Sequence, residues 1–338
     1  MRIGIAGGGL IGRLLAWRCA AAGAEVEVFD AGAAGRCAPA AAGMLAPVAE
    51  LARASRALHA RGMESCRLWP RWLAEEDAAG LCVQRGAWLT AHGRDRGELE
   101  RVADAIAAKV PDPDEHLIGY AGKELAEMEP ALAGFERAYL LPAEGQVLVD
   151  EVLELLGGAA ARAGVSWRDG AAVEEVGPGR LRAAGTDKRY DWACDCRGLG
   201  ARPAQQLRAV RGECLHVHCP GLGLRRPTHV LHPRQPVYIV PRPADVYVVG
   251  ATEIESDDPG PVTVRSALEL LGAAYAFNPL LAEGRVVDAR VGLRPALPDN
   301  EPALRVGDGE LALSGMHRHG YLAGPACVSE ALAAMGLA

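Results

Sequence analysis

MRIGIAGGGLIGRLLAWRCAAAGAEVEVFD, residues 1–30, holds five signals in a fixed order. A short apolar run, 2–6, reads as a buried strand. Gly7-x-Gly9-x-x-Gly12 follows at once, and 10–22 then reads as a helix stopped by Gly23. A second strand, 25–29, ends in an acid, Asp30. Strand, glycines, helix, strand and acid together make a βαβ unit with the dinucleotide fingerprint in its first turn.

Each part has a mechanical task. Gly7 permits the tight turn, Gly9 lets a pyrophosphate approach the backbone, and Gly12 lets the helix pack on the strand. The free N–H groups at the helix start, with Leu10 and Ile11, face the phosphates, and the helix dipole favours their charge. Asp30 can accept hydrogen bonds from a ribose and repels a 2′-phosphate, which argues against NADP. The unit alone does not distinguish FAD from NAD.

The composition narrows the classes. The chain has 338 residues, half of them hydrophobic, enough for a sizeable core and about two domains. A net charge of -7 marks neither a nucleic-acid nor an anionic-membrane partner. No apolar run reaches the roughly 18 residues of a membrane span, and the first strand starting at residue 2 leaves no room for a signal peptide. The expectation is a cytoplasmic protein. The nine cysteines form no CxxC pair, and Cys194-x-Cys196 lies in an apolar run, so they read as core and not as a metal site.

Beyond Asp30, the segment 31–50 is rich in Ala and Gly, too small for a strand and limited by Pro39 and Pro47. Such a segment lets backbone come close to a flat, rigid partner. Helices are expected over 52–74, 94–109, 124–129, 150–163 (with Asp150 as a cap) and 262–277, and a strand over 83–90. From 211 the pattern turns to short alternating strands suited to an antiparallel sheet, where His216 and His218 read as solvent-face residues. The chain ends in strand, glycine-rich turn and helix. The expected fold is therefore α/β plus antiparallel β. A Rossmann-type nucleotide domain is made of 1–80, 140–210 and 293–338. A substrate domain on a mostly antiparallel sheet is made of 81–139 and 211–292.

Six segments carry a resemblance: AAAGM (40–44), VRGECL (210–215), YIVPR (238–242), VVGAT (248–252), GLRPALPD (292–299) and GMHRHGYL (315–322). With them the chain resembles the D-amino-acid-oxidase-like flavoenzymes, and within that family it is most similar to the glycine oxidases of the thiamine pathway. The resemblance implies noncovalent FAD. It sets the adenosine half on Gly7, Gly9, Gly12 and Asp30, and the flavin ring beside Ala42, Gly43 and Met44. Val173 would contact the adenine side through its backbone, and Gly198 would approach from the other side. The turn with His319, Gly320, Tyr321 and Leu322 would lie at the flavin's pyrimidine edge, where a helix N-terminus can stabilise negative charge.

Arg294 matches the family's carboxylate-binding arginine, Tyr238 the tyrosine that helps it, and Arg318 a second arginine of the site. A guanidinium fork fits a carboxylate bidentately. The implied reaction is oxidation of glycine or a similar small amino acid to the imino acid, which hydrolyses to a 2-oxo acid and ammonia. Dioxygen becomes hydrogen peroxide, and no catalytic base is obligatory. A dehydrogenase of D-amino acids or sarcosine that uses another acceptor is the alternative; a nucleotide-binding sensor is the reading from another class, and Arg294 argues against it. The expected partners are a small amino acid and dioxygen, and the pattern is compatible with a homo-oligomer. The chain departs from the glycine-oxidase pattern GHFRNG: Met316 stands for a histidine and His319 for an asparagine. Tyr321 is bulkier than the usual aliphatic residue and is expected to narrow the pocket.

Overall fold

A computed structural model describes every residue except 203, 234 and 235. Arg2–Ala6 lies in the middle of a six-stranded sheet, with Glu25–Asp30 and then Ser166–Asp169 on one side. Trp192–Asp195, Glu310–Ser314 and Ala303–Val306 follow on the other. All its pairs are parallel except the last. Four helices pack into one core on one face: Leu10–Ala21, Arg56–Ala74, Val149–Arg162 and Gly320–Ala334. Ile3, Ile5, Leu14 and Leu15 are fully buried there, each worth about 1.5–3 kcal/mol of transfer free energy. An antiparallel three-stranded sheet, Val173–Gly177, Arg180–Ala183 and Thr186–Arg189, meets the other face through Phe29, Leu181 and Ala193.

A nine-stranded sheet takes its strands from 87–141 and 208–296. Ile254–Glu255, Arg208–His218, Val246–Gly250, Val237–Arg242, Thr228–Leu231, Ala87–Ala91, Arg137–Leu141 and Ile118–Ala121 run in that order. Arg285–Ala296 pairs along the other side of Arg208–His218. The pairs are antiparallel except for Thr228–Leu231 with Ala87–Ala91. The two long strands, Arg208–His218 and Arg285–Ala296, run through positions 210 and 292 without a break.

Several local expectations shift. The helix over 52–74 starts at Arg56, because Ser55 Oγ accepts the Leu58 N–H and fixes the first turn. A two-residue strand, Met44–Leu45, lies inside the segment read as too small for a strand, and a separate short helix, Pro47–Glu50, follows it. The strand over 83–90 is broken into Cys82–Val83 and Ala87–Ala91, with Gly86 at φ +82 between them. Asp150 is no cap: Leu148 is the N-cap residue, and the Asp150 carboxylate accepts two hydrogen bonds from Arg290 instead. His216 is buried, not solvent-facing, because its strand is paired on both sides and covered on both faces. All nine cysteines are free, and among the described residues no cluster could hold a metal ion. No described helix is long and apolar enough to cross a membrane.

Candidate active site

One connected cavity of about 1520 Å³ is lined by residues of both large sheets. At one end lies the glycine turn. Leu10–Ala21 starts at Gly9 with no side-chain cap and no acid in its first turn, so its first N–H groups are left for an outside acceptor. Gly7, Gly9, Leu10 and Ile11 line the cavity. A Cβ on Gly9 would meet nothing within 4 Å, so nothing inside the protein requires a glycine there. Gly12 differs: its Cβ would fall 1.8 Å from the Gly7 carbonyl oxygen, and it is absent from the cavity wall. Its task is helix-to-turn packing.

Asp30 stands beside this turn. Its Oδ2 accepts from Arg36 Nη2 at 2.7 Å and its Oδ1 from the Gly32 N–H at 3.2 Å. A carboxylate has about four lone-pair sites, so acceptor capacity remains. Val173 and Gly198 line the same end. The Val173 carbonyl accepts from Arg197 Nη1 at 2.8 Å, and Arg197 is clamped by Asp195.

A second helix end faces the cavity. Gly320–Ala334 starts at His319, again with no side-chain cap and no acid in its first turn. His319, Gly320, Tyr321 and Leu322 line the wall. Burial pushes the His319 imidazole down to about 4 against the pull of Glu50, so the ring is neutral at neutral pH. Tyr321, expected to narrow the pocket, lines the wall and is held from behind. It is 4% exposed, its ring stacks on Trp69, and its hydroxyl donates to the Ala38 carbonyl at 3.2 Å. Met316, too, is buried in the core at the cavity wall.

Between the ends, Ala42, Gly43 and Met44 bring backbone to the cavity. Gly43 sits at φ +62, with a Cβ position 2.4 Å from the Val147 carbonyl oxygen, so no other residue fits. Arg242, the last residue of YIVPR, holds this segment. Its Nη2 donates to the Ala42 carbonyl at 2.5 Å and its Nη1 to Gln146 at 2.6 Å. Burial lowers its pKa to about 10, which still leaves it charged at neutral pH.

Arg294 and Tyr238 form the other end, and strand glycines make their room. A Cβ on Gly212 would lie 2.2 Å from Arg294 Nη2, and one on Gly250 would lie 2.6 Å from the Tyr238 hydroxyl. A Cβ on Gly292 would strike the Cys37 Cα at 2.7 Å. The glycines of VRGECL, VVGAT and GLRP are therefore spaces for these side chains and for the 37–40 backbone. Arg294 Nη1 donates to the Thr252 carbonyl at 3.0 Å, and no carboxylate pairs with it among the described residues. Burial pushes the Tyr238 phenol up, so it stays protonated and can donate.

Arg318 has the opposite setting. Its Nη2 meets Glu50 at 2.8 Å and its Nη1 meets Glu253 at 3.3 Å, so the second arginine is already neutralised by acids of its own chain. Glu50, Glu253, Arg36, Arg242 and His317 escaped the sequence reading. His317 lay within the quoted turn GMHRHGYL and Glu253 directly after VVGAT, but nothing local shows that the two approach each other to 3.4 Å.

The pattern of the FAD dependent oxidoreductase family matches residues 2–335. A putative thiamine biosynthesis oxidoreductase of Rhizobium etli is 37% identical over 98% of this chain and 95% of its own. A glycine oxidase of Bacillus licheniformis is 28% identical over 95% of this chain and 89% of its own. Among solved structures, an iminodiacetate oxidase of a Chelativorans species and a glycine oxidase of Geobacillus kaustophilus each superpose with a TM-score of 0.84. Both are 26% identical and cover 99% of this chain and 95% of theirs.

The residues present fit FAD. Two uncapped helix N-termini face one cavity. At the first of them, the space over Gly9 would be filled by any side chain. An anionic, elongated group with a pyrophosphate matches both features.

Proposed function

The chain belongs to the FAD dependent oxidoreductase family, and from that premise we propose that it oxidises glycine or a similarly small amino acid and serves thiamine thiazole synthesis. The observation that carries the reading is Arg294: a cation in the cavity wall, seated over Gly212, with one backbone acceptor and no acid partner among the described residues. Such a fork is a receptor for a carboxylate. The names of the Rhizobium etli and Bacillus licheniformis relatives support the pathway and the substrate.

Bound FAD supplies the two-electron acceptor. The chain's own part is positioning. Arg294 takes the substrate carboxylate and the protonated Tyr238 hydroxyl donates beside it. The sheet under them fixes that anchor, because Arg294 pairs in register with Val210 and Tyr238 with Gly250. Arg242 holds the Ala42–Gly43 backbone at the wall of the same cavity. The imino acid then hydrolyses to the 2-oxo acid, glyoxylate from glycine, and ammonia, with dioxygen as the final acceptor and hydrogen peroxide as product. The site residues proposed for FAD are Gly7, Gly9, Leu10, Ile11, Asp30, Ala42, Gly43, Met44, Val173, Gly198, His319, Gly320, Tyr321 and Leu322.

Anaerobic mixing with glycine, sarcosine, D-alanine and D-proline tests this. Bleaching of the yellow protein by glycine or sarcosine, followed by oxygen uptake on exposure to air, is the expected result. A flavin spectrum that no amine changes overturns it.

A further inference from the structure

We propose that Glu253 is a specificity-determining residue that receives the protonated amine of the amino acid whose carboxylate Arg294 holds, and that rejects substrates carrying a second carboxylate. The inference rests on the reading of Arg294 given above and adds the other half of the substrate.

The placement comes from the backbone. Thr252 gives its carbonyl to Arg294 Nη1, and Glu253 is the next residue, so the anionic and cationic anchors leave the chain side by side. Both line the same cavity. Half of the Glu253 side-chain surface is accessible, whereas the His317 ring next to it is 2% exposed.

Glu253 also keeps capacity for a ligand. Its Oε1 lies 3.4 Å from His317 Nε2, and its Oε2 lies 3.3 Å from Arg318 Nη1. Both contacts are longer than the 2.7–2.9 Å usual for charge-assisted bonds, so an ammonium could enter at shorter range. The His317 ring, then the Arg318 and Arg294 charges, outweigh burial and hold the carboxyl at about 2, so it is an anion at any working pH.

The charge balance supplies the rejection. Two cations, Arg294 and Arg318, and two anions, Glu50 and Glu253, line this part of the cavity, and both anions meet Arg318. A zwitterion with one carboxylate and one ammonium leaves that balance unchanged and finds a counter-charge for each end. A second carboxylate placed beside Arg318 meets a fork already held by two acids, and lies against two anions in a partly desolvated wall.

The experiment uses the holoenzyme and Glu253→Gln, with Glu253→Asp as the conservative variant. Glycine and sarcosine stand for monocarboxylates and iminodiacetate for dicarboxylates. Glycolate, in which a hydroxyl replaces the ammonium, is titrated by its effect on the flavin spectrum. Loss of a charge-assisted hydrogen bond predicts a rise in KM for glycine and sarcosine of about tenfold or more in Glu253→Gln. The glycine-to-iminodiacetate ratio of kcat/KM should fall by a similar factor, the glycolate Kd should stay within about twofold, and Glu253→Asp should recover part of the glycine KM. An unchanged glycine KM and an unchanged ratio overturn the proposal. Loss of glycolate binding along with glycine also overturns it, because Glu253 would then merely support the Arg294 end. A wild-type protein that no amine reduces overturns the amino-acid reading itself, which this comparison of variants keeps separate.

Discussion

The two ends of the cavity are built on different plans. The nucleotide end is backbone: three glycines, an uncapped helix and one acid, all within residues 7–30. The end proposed for the amino acid is side chain: Arg294, Tyr238, Glu253 and the pair His317 and Arg318 come from four separate segments of the chain. At the first end the protein holds room open for a ligand's phosphates. At the second it holds charges in place, and the two arginines differ only in what surrounds them. Among the described residues Arg294 has no acid partner and Arg318 has two. A cation becomes a receptor only when its own chain leaves it unpaired, because burying it without an anion costs free energy that an incoming carboxylate restores.

The largest test of that contrast is Arg294→Ala. It should lower kcat/KM for glycine by about 2–5 kcal/mol in transition-state free energy while the protein keeps its FAD. Arg294→Lys should recover only part, since lysine is a point charge without the planar fork. Steady-state kinetics with a flavin count per chain measures both, and a near-normal kcat/KM in Arg294→Ala breaks the contrast.

Arg318→Ala should act on the fold instead. It strands Glu50 and Glu253, which costs roughly 2–3 kcal/mol of stability, read as a lower urea midpoint. Its effect on kcat/KM should be smaller than that of Arg294→Ala. A reversed order would make Arg318 the carboxylate receptor.

His319 lines the cavity at a helix start, and it gives the contrast a pH signature. Its pKa is about 4 in the fold against 6.5 as the ordinary value, so between these the unfolded chain binds more protons. This contribution is complete above pH 6.5 and is lost as pH falls toward 4, about 2 kcal/mol having gone by pH 5. His319→Asn should flatten the loss of thermal stability between pH 7 and pH 5. Parallel melting curves for variant and wild type would show that the ring is not buried neutral.

The smallest expected effect sharpens the nucleotide end. Gly9 has φ -73 and ψ -169, which any residue adopts, and a Cβ there meets no protein atom within 4 Å. Gly9→Ala should therefore leave the apoprotein's melting temperature unchanged and weaken FAD by about tenfold, or roughly 1.4 kcal/mol, through the phosphates alone. A destabilised apoprotein with normal FAD affinity would mean that the glycine serves the fold.

The sequence was most legible where interactions are local. The βαβ unit is written within thirty residues, so apolar spacing, glycine positions and a terminal acid identify it, and Arg2–Ala6, Leu10–Ala21 and Glu25–Asp30 lie where the pattern puts them. The quoted motifs marked Arg294 and Tyr238, although the reason for their glycines appears only when Gly212 and Gly250 are seen under those side chains. Local patterns misled where a distant partner competed. Asp150 would suit a helix cap, but Arg290 takes it, and Tyr321 lines the cavity with its ring stacked on Trp69 and its hydroxyl bonded to Ala38.

By itself the sequence determined the nucleotide end, the alternation of helical and strand patterns, and the presence of an arginine suited to a carboxylate, because each depends on residues that are neighbours along the chain. Only the tertiary structure decided which arginine stays unpaired, that Glu253 meets His317 and Arg318 at the amino-acid end, and that Arg242 reaches across to Ala42. Those contacts join residues up to 200 positions apart. Their energies depend on distance and burial in three dimensions, and neither quantity is carried by the spacing of residues along a strand or a helix.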